Sequence, residues 1–312
     1  MITASCEDSI DYEELARAAT DAFDVPNVVF RSEQFQWFYE RCFSLGTTVV
    51  TLRDGGRKVG HCAMVRQLVL MNGVYEPTVQ LVDLFIQKEL RSKDCLRQLY
   101  GEVEHQCVAQ KIRFALGMPN ARALTVNAHF FKMRAFRWLP IRMGLAAPFR
   151  SSTLIFSGSF QLMKKEEAVG LFARYRTPKD ENGLQWDEEK LYQRLCGPRY
   201  SYGVHATKEL LLISSARSRR GVKYTLLCGF FVCAGSHVRR GNAEALVRAS
   251  CYLWRHPIFV YVGFNNALAN IPVVSLPHWL RPSPMLLQLR DFQPEKPEPH
   301  FDRYQPLDFD FA

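Results

Sequence analysis

Between Val79 and Phe136 the chain switches period in an order that few folds accept. Val79 to Ile86 is an apolar run of strand length, and Leu90 to Asp94 is polar and turn-like. From Cys95 to about Lys111 the residues Leu96, Leu99, Tyr100, Val103, Cys107 and Val108 recur at steps of three and four. That spacing predicts a helix buried along one stripe. Ile112 to Met118 is a second apolar strand, Pro119-Asn120 ends it, and a second helical pattern runs through Phe131. Strand, turn, helix, strand is a crossover, which is almost always right-handed. The amides that open its helix form a site for an anion.

The flanks extend this order. Leu15, Ala16, Ala19 and Phe23 lie at helical spacing, and Phe35, Phe38, Tyr39, Cys42 and Phe43 line one face of a second helix beginning at Ser32. Thr47 to Leu52 is β-branched, Asp54-Gly55-Gly56 and Asn72-Gly73 are hairpin signals, and Lys58 to Met71 between them reads as a long strand. The expected fold is α/β with a mixed sheet: two helices, three antiparallel strands, helix, strand, helix. Beyond Arg142 the pattern loosens. Ser151 to Phe160 is expected as the last strand of this first unit. A helix follows over Trp186 to Leu195, then strands over Ser201–Ala206, Leu210–Ala216 and Tyr224–Cys233, a helix over Asn242–Trp254, and a strand over Pro257–Gly263.

The string Leu116–Ala123 (LGMPNARA) has an echo in Val262–Ala269 (VGFNNALA), and the same shift lays the helix from Asn242 over the helix from Leu96. A duplicated fold has this form, and so does a coincidence of short strings. Duplication gives two domains, 1–160 and 161–312. The tail from Pro294 is proline-rich and ends Tyr304-Gln305-Pro306-Leu307-Asp308-Phe309-Asp310-Phe311, whose aromatics predict docking.

At 312 residues, 47% of them hydrophobic, the chain can build two cores. Its apolar runs fall short of the roughly 18 residues of a membrane span, and Met1–Asp11 lacks the basic-then-apolar succession of a secretory signal. The nine cysteines are odd in number and form no Cys-x-x-Cys, so free thiols in a reducing cytoplasm are expected, with no metal site. The net charge of +9 favours anionic partners. Basic residues cluster at Arg113 with Arg122, at Lys132 to Arg142, at Arg217 to Arg220 and at Arg239-Arg240, without a nucleic-acid fold signature. Nucleic acid is therefore not the expected partner.

The order of elements, the turn Arg91-Ser92-Lys93-Asp94-Cys95-Leu96, and Gly117-Met118-Pro119-Asn120-Ala121 followed by Phe131 and Ala135-Phe136 resemble the acyl-CoA-binding core of the GNAT acyltransferases. The resemblance covers residues 45–145 directly. It implies βββαβα units, two in tandem. It also implies an N-acyltransferase that moves an acyl group from a thioester donor, acyl-CoA or an acyl carrier protein, to a small-molecule amine. A non-catalytic acyl- or partner-binding module of the same fold is the alternative. The carrier surface in such systems is acidic, which suits a basic chain. The family's bulged strand implies backbone amides near Leu84, Phe85 and Ile86 as donor contacts. Its turn implies Arg91, Ser92, Lys93, Asp94, Cys95 and Leu96 around the phosphates, and Asn120 and Phe131 along the pantetheine arm. Both glycines usual in that turn are replaced, by Asp94 and Leu96. A carboxylate ~5 Å from a phosphate is repelled by roughly 1–3 kcal/mol, which Arg91 and Lys93 offset. Equally, Asp94 could cap the next helix, a role worth about 1 kcal/mol.

Amine acylation needs a base for the amine proton, an amide dipole for the oxyanion, and often an acid for the leaving thiolate. Asp83 is the one acidic residue in its apolar run. A partly desolvated carboxylate there suits a base, and a hydrogen-bonded structural aspartate has the same sequence signature. The family's thiolate acid is a tyrosine where this chain has Phe131, which has no proton to give. His129 and Tyr100 are the stand-ins, or members of the core, and Asn120 is an arm contact or a helix cap.

Overall fold

A computed structural model gives the structure of the protein. It describes residues 2–23, 29–43, 45–147, 153–175, 181–233, 235–236, 238–266, 268, 274–276, 281 and 285–309. The chain forms two compact units. One comprises Met1–Val69, Tyr75–Trp138 and Ser283–Glu298, the other Leu70–Val74, Leu139–Pro282 and Pro299–Ala312. The expectation of continuous domains 1–160 and 161–312 thus stands beside units assembled from three stretches each.

The first unit runs β1 (Ile2–Cys6), α1 (Tyr12–Phe23), α2 (Ser32–Gln36, widening into a π-helical turn over Trp37–Arg41), β2 (Thr47–Asp54), β3 (Arg57–Met71), β4 (Val74–Ile86), α3 (Lys93–Ala109), β5 (Phe114–Gly117), α4 (Ala121–Phe131) and β6 (Arg134–Trp138). The second runs β7 (Ile141–Leu145), β8 (Phe156–Ser159), α5 (Lys165–Phe172), β9 (Gly183–Leu184), α6 (Glu188–Leu195), β10 (Tyr202–Ala206), β11 (Leu210–Arg219), β12 (Val222–Val232), α7 (Arg240–Trp254), β13 (Ile258–Val262), β14 (Phe264–Asn265) and β15 (Val274–Ser275). The chain then returns to the first unit with β16 (Leu286–Asp291) and ends in the second with β17 (Arg303–Tyr304).

The first sheet has the order β1-β2-β3-β4-β5-β16-β6, with β4 and β5 parallel. On one face α3 packs Leu99, Tyr100, Val103 and Cys107 against Val50, Cys62, Met64 and Val79, as its three-and-four spacing predicts. On the other, α1 and α2 bury Leu15, Phe35, Phe38 and Tyr39. Three strands of this sheet, β1, β6 and β16, escaped the periodicity. β1 pairs with β2 from Ile2↔Asp54 to Cys6↔Val50, and its Ile2, Ala4 and Cys6 are only half-buried. β16 slots between β5 and β6, far in sequence from both partners.

The second sheet has the order β15-β7-β13-β12-β11-β10-β8, with β12 and β13 parallel. α7 buries Leu246, Val247 and Cys251 against Leu210, Leu212, Leu227 and Phe230. The run expected to close the first unit, Ser151–Phe160, supplies β8 to this second sheet, because it pairs with β10 from Gly203↔Ser159 to Ala206↔Phe156; Ser151 and Ser152 lie outside the described residues. α3 and α7 hold the same place, each between the two parallel strands of its sheet. The echoed glycines Gly117 and Gly263 stand at the ends of β5 and β13, while Ala267 and Ala269 of the echo lie outside the described residues. In the tail Phe301, Tyr304, Leu307 and Phe309 are buried; Asp310 and Phe311 are not among the described residues. The nine cysteines are free thiols. Among the described residues no cluster of His, Cys, Asp or Glu is placed to hold a metal, and no helix is long and apolar enough to cross a membrane.

Candidate functional site

β4 continues past the end of its parallel partner. Their pairing runs from Thr78↔Phe114 to Leu81↔Gly117 and stops there. Two residues on, Asp83 takes φ +53, the left-handed region that aspartate tolerates better than most residues. Val79 and Leu81 face the α3 core, and so do Leu84 and Ile86. Side-chain parity has slipped by one residue, which defines a β-bulge. The Gln87 N–H donates to the Val59 carbonyl at 2.8 Å, so Gln87 and Phe85 turn their backbone groups toward β3. By alternation Leu84 and Ile86 turn theirs away, to the side where β5 has ended.

The bulge aims Asp83 at the α1/α2 face. The Tyr39 hydroxyl donates to Asp83 Oδ2 at 2.8 Å. That hydroxyl also lies 3.0 Å from His61 Nε2; its own proton goes to Asp83, so it accepts from His61 Nε2–H. Among the described residues, His61 Nδ1 is buried without a hydrogen-bond partner. The chain is directed: imidazole to phenol to carboxylate. Burial holds His61 well below the usual imidazole range, and therefore neutral. Burial, and then the charge of Asp83, holds the Tyr39 phenol well above its ordinary value, so Tyr39 stays a donor. The His61 ring lies between Tyr39 (centroids 6.1 Å apart, planes at 7°) and Phe85 (5.4 Å, 17°). Neither Tyr39 nor His61 was singled out in the sequence. Tyr39 fits the apolar stripe of α2, and a histidine inside an apolar strand, one strand away from the lone aspartate, was the available signal.

Beyond Ile86 a short 3-10 turn, Lys88–Leu90, leads to the start of α3. Ser92 is the cap, its hydroxyl accepting from the Cys95 N–H at 3.2 Å. Asp94 therefore does not cap this helix; it sits in the first turn and pairs with Arg97 at 2.8 Å, both side chains exposed. A serine hydroxyl at the preceding extended position reaches the same orphan amides. Arg91 donates from Nε to the Ile86 carbonyl at 3.0 Å and from Nη2 to the Ala22 carbonyl at 2.8 Å. It satisfies the end of α1 and braces the turn. Lys93 is exposed, Cys95 is buried and Leu96 half-buried, the last two on the α3 core.

Asn120 caps α4, its Oδ1 accepting from the N–H groups of Arg122 and Ala123 at 3.0 Å. Phe131 is fully buried. It stacks on Tyr100 at 5.3 Å, meets Phe292 edge-on and lies under the Arg290 guanidinium at 4.7 Å. Tyr100 donates to Asn127 Oδ1, and Asn127 donates to Gln288 on β16 at 3.1 Å. Burial raises the Tyr100 phenol far above its ordinary value. His129 is exposed, its ring against the Phe130 edge at 4.7 Å. Asp83, Tyr39 and His61 thus form one cluster and Tyr100 and Phe131 another, while His129 is on the surface.

No family model matches the sequence, and no curated protein matches it. Solved structures do. A GCN5-related N-acetyltransferase from Kribbella flavida superposes with a TM-score of 0.62 at 12% identity, over 94% of this chain and 72% of that one. Saccharomyces cerevisiae N-myristoyltransferase with bound myristoyl-CoA superposes with a TM-score of 0.59 at 11% identity, over 98% of this chain and 83% of that one. A tandem GNAT protein from the clavulanic acid biosynthesis pathway superposes with a TM-score of 0.56 at 12% identity, over 93% of this chain and 98% of that one. Identities this low speak for the fold. Across both of its units, this chain has the fold of the GNAT N-acyltransferases.

Proposed function

We propose that the chain is an N-acyltransferase whose thioester donor lies in the first unit, along the part of β4 that has outrun β5. The observation that carries this reading is the bulge at Asp83. It sets a carboxylate beside the outward-turned backbone of Leu84 and the N–H of Ile86, whose carbonyl Arg91 holds, at the point where the sheet opens. An amine acceptor attacks the thioester carbon; Asp83 takes the proton that the amine sheds; the carbonyl oxygen, as it gains charge, is held by a β4 amide; the thiolate leaves and the amide forms. Tyr39 fixes the orientation of Asp83 through its 2.8 Å hydrogen bond. Phosphates of the donor would meet the first-turn amides of Lys93 and Asp94, which precede the intrahelical ladder, and the Lys93 ammonium. Asp94 opposes them less than a lone carboxylate would, since Arg97 neutralises it. Asn120 and the Leu84–Ile86 backbone are assigned to the pantetheine arm. Acyl-CoA and an acyl group on a carrier protein present the same thioester and arm; the net charge of +9 favours an acidic carrier as one source.

A non-catalytic acyl- or partner-binding role is favoured by two facts: Arg91 is engaged by carbonyls, and Phe131 offers no proton. Calorimetric titration with acetyl-CoA and with acyl carrier protein, followed by single-turnover acylation of a panel of amines, separates the two. Expected is binding together with transfer, and for Asp83→Asn a transfer rate lower by roughly a hundredfold or more with donor affinity unchanged. Binding without transfer supports the non-catalytic role. An unaltered rate in Asp83→Asn removes the base assignment, and no donor binding at all removes the proposal.

A further inference from the structure

The second unit repeats the opening in its sheet, and there the chain fills it with itself. β12 and β13 pair in parallel from Thr225↔Phe259 to Leu227↔Tyr261 and then part, as β4 and β5 do after Leu81. Phe230 follows Leu227 by the same three residues that separate Leu84 from Leu81. The Phe230 N–H donates to Gln305 Oε1 at 2.9 Å, and its carbonyl accepts from Gln305 Nε2 at 3.3 Å. One side-chain amide thus answers both backbone groups of one strand residue. The adjoining tail backbone adds an antiparallel pair, Phe264↔Tyr304 and Asn265↔Arg303.

The seat is shaped for this occupant. Gly263 has φ +110, and a Cβ there would stand 2.1 Å from the Tyr304 carbonyl oxygen. A Cβ on Gly229 would stand 2.7 Å from Leu307 Cδ1 and 3.1 Å from Gln305 Nε2. Arg194, wholly buried, donates to the carbonyls of Leu307 and Phe309 at 3.2 and 2.7 Å. Trp186 Nε1 donates to Asp308 Oδ1 at 2.7 Å, and the other carboxylate oxygen accepts from the Gln305 N–H.

We infer that the second unit holds an amide-recognising cleft of the kind assigned to the donor in the first, and that residues 303–309 are its built-in ligand. A pantetheine arm recognises a parted strand through amide N–H and C=O groups, and Gln305 presents the same pair. The protein then takes one donor per chain, in the first unit. That count rests on the function proposed above; the identity of the tail as occupant does not.

Hydrogen exchange at the Phe230 amide decides it, with free pantetheine as the probe. In the wild-type protein Phe230 is protected and pantetheine changes nothing. In Gln305→Ala its exchange accelerates by roughly tenfold or more, and pantetheine restores protection. The amides of Leu212 and Ile213 report whether the unit stays folded; where they too accelerate, Gln305→Met, which keeps the volume and removes both amide groups, is read instead for the loss of Phe230 protection. Unchanged exchange at Phe230 in these variants, or protection by pantetheine in the wild type, overturns the inference. Titration of the wild type with coenzyme A gives one equivalent; two equivalents overturn the inference as well. No binding would instead overturn the reading of the first unit and leave the exchange result to decide the tail.

Discussion

Tyr39 is the residue on which the candidate base depends. Its hydroxyl donates to a carboxylate whose backbone is already held at positive φ. A hydrogen bond to the charged form favours that form, so Tyr39→Phe removes an interaction that holds Asp83 as the carboxylate. Transfer that needs the free carboxylate then falls away at a higher pH: the acid limb of the pH–rate profile moves up, while Asp83→Asn abolishes the limb. The same substitution leaves His61 Nε2–H without its acceptor, and unfolding in urea should find about 1–3 kcal/mol lost. A purely structural tyrosine would show the stability loss and leave the profile unmoved. Asp83 was legible because a charge inside an apolar run is conspicuous. Tyr39 was not, because helical spacing counts a tyrosine as apolar whatever its hydroxyl reaches 44 residues away. Arg91 illustrates the reverse: its place in the turn was legible, but not that two backbone carbonyls would engage it.

At the scale of elements, long stretches with a steady period were readable and short strands were not. α3 and α7 each bury a stripe, and the hairpin signals at Gly55 and Gly73 sit where β2, β3 and β4 turn. β1, β6, β7 and β16 are five or six residues each, too few to establish a period, and β16 takes its place from distant partners. The tail was expected to dock, though aromatics alone did not reveal that a buried acid would hold it. Asp308 is pushed up to about 6 by burial, against the opposing pull of Arg303 and the Trp186 hydrogen bond. A carboxyl whose folded pKa exceeds its unfolded value favours the fold when protonated. Its contribution is full below the unfolded pKa near 4 and lost as pH rises through about 6. The wild type should therefore gain up to about 3 kcal/mol from this group between pH 7.5 and pH 4, partly masked by Glu14, Glu104 and Glu189, whose shifts run the other way. Asp308→Asn, compared with wild type by calorimetry at both ends of that range, should lack this component; parallel curves for the two proteins would contradict the assignment.

At the scale of the whole chain, the notable fact is where its strands go. β7 follows directly on β6 yet joins the second sheet, and β16 leaves the second stretch to sit between β5 and β6 in the first. The first unit lacks an inner strand until the chain has passed through the whole second sheet. β16 buries Leu286, Leu287 and Leu289, each worth about 2 kcal/mol, a sum comparable with the whole net stability of a domain, about 5–15 kcal/mol. A fragment ending at residue 160 keeps every expected element of the first unit and still leaves β6 without a neighbour. Alone, fragments 1–160 and 161–312 should show no cooperative thermal transition; mixed, they should recover one and co-elute. The exchange also prescribes its own remedy. Trp138 lies opposite Leu286 in the β16–β6 ladder, so adjacent antiparallel strands place these residues within about 5 Å of each other, a span that a short Gly-Asn hairpin loop closes. Residues 1–138 joined through such a loop to 286–298 should therefore fold with a sharp calorimetric transition, where 1–138 alone does not. If 1–160 unfolds as sharply as the joined chain, β16 is dispensable, and the first unit is independent of the chain that follows it.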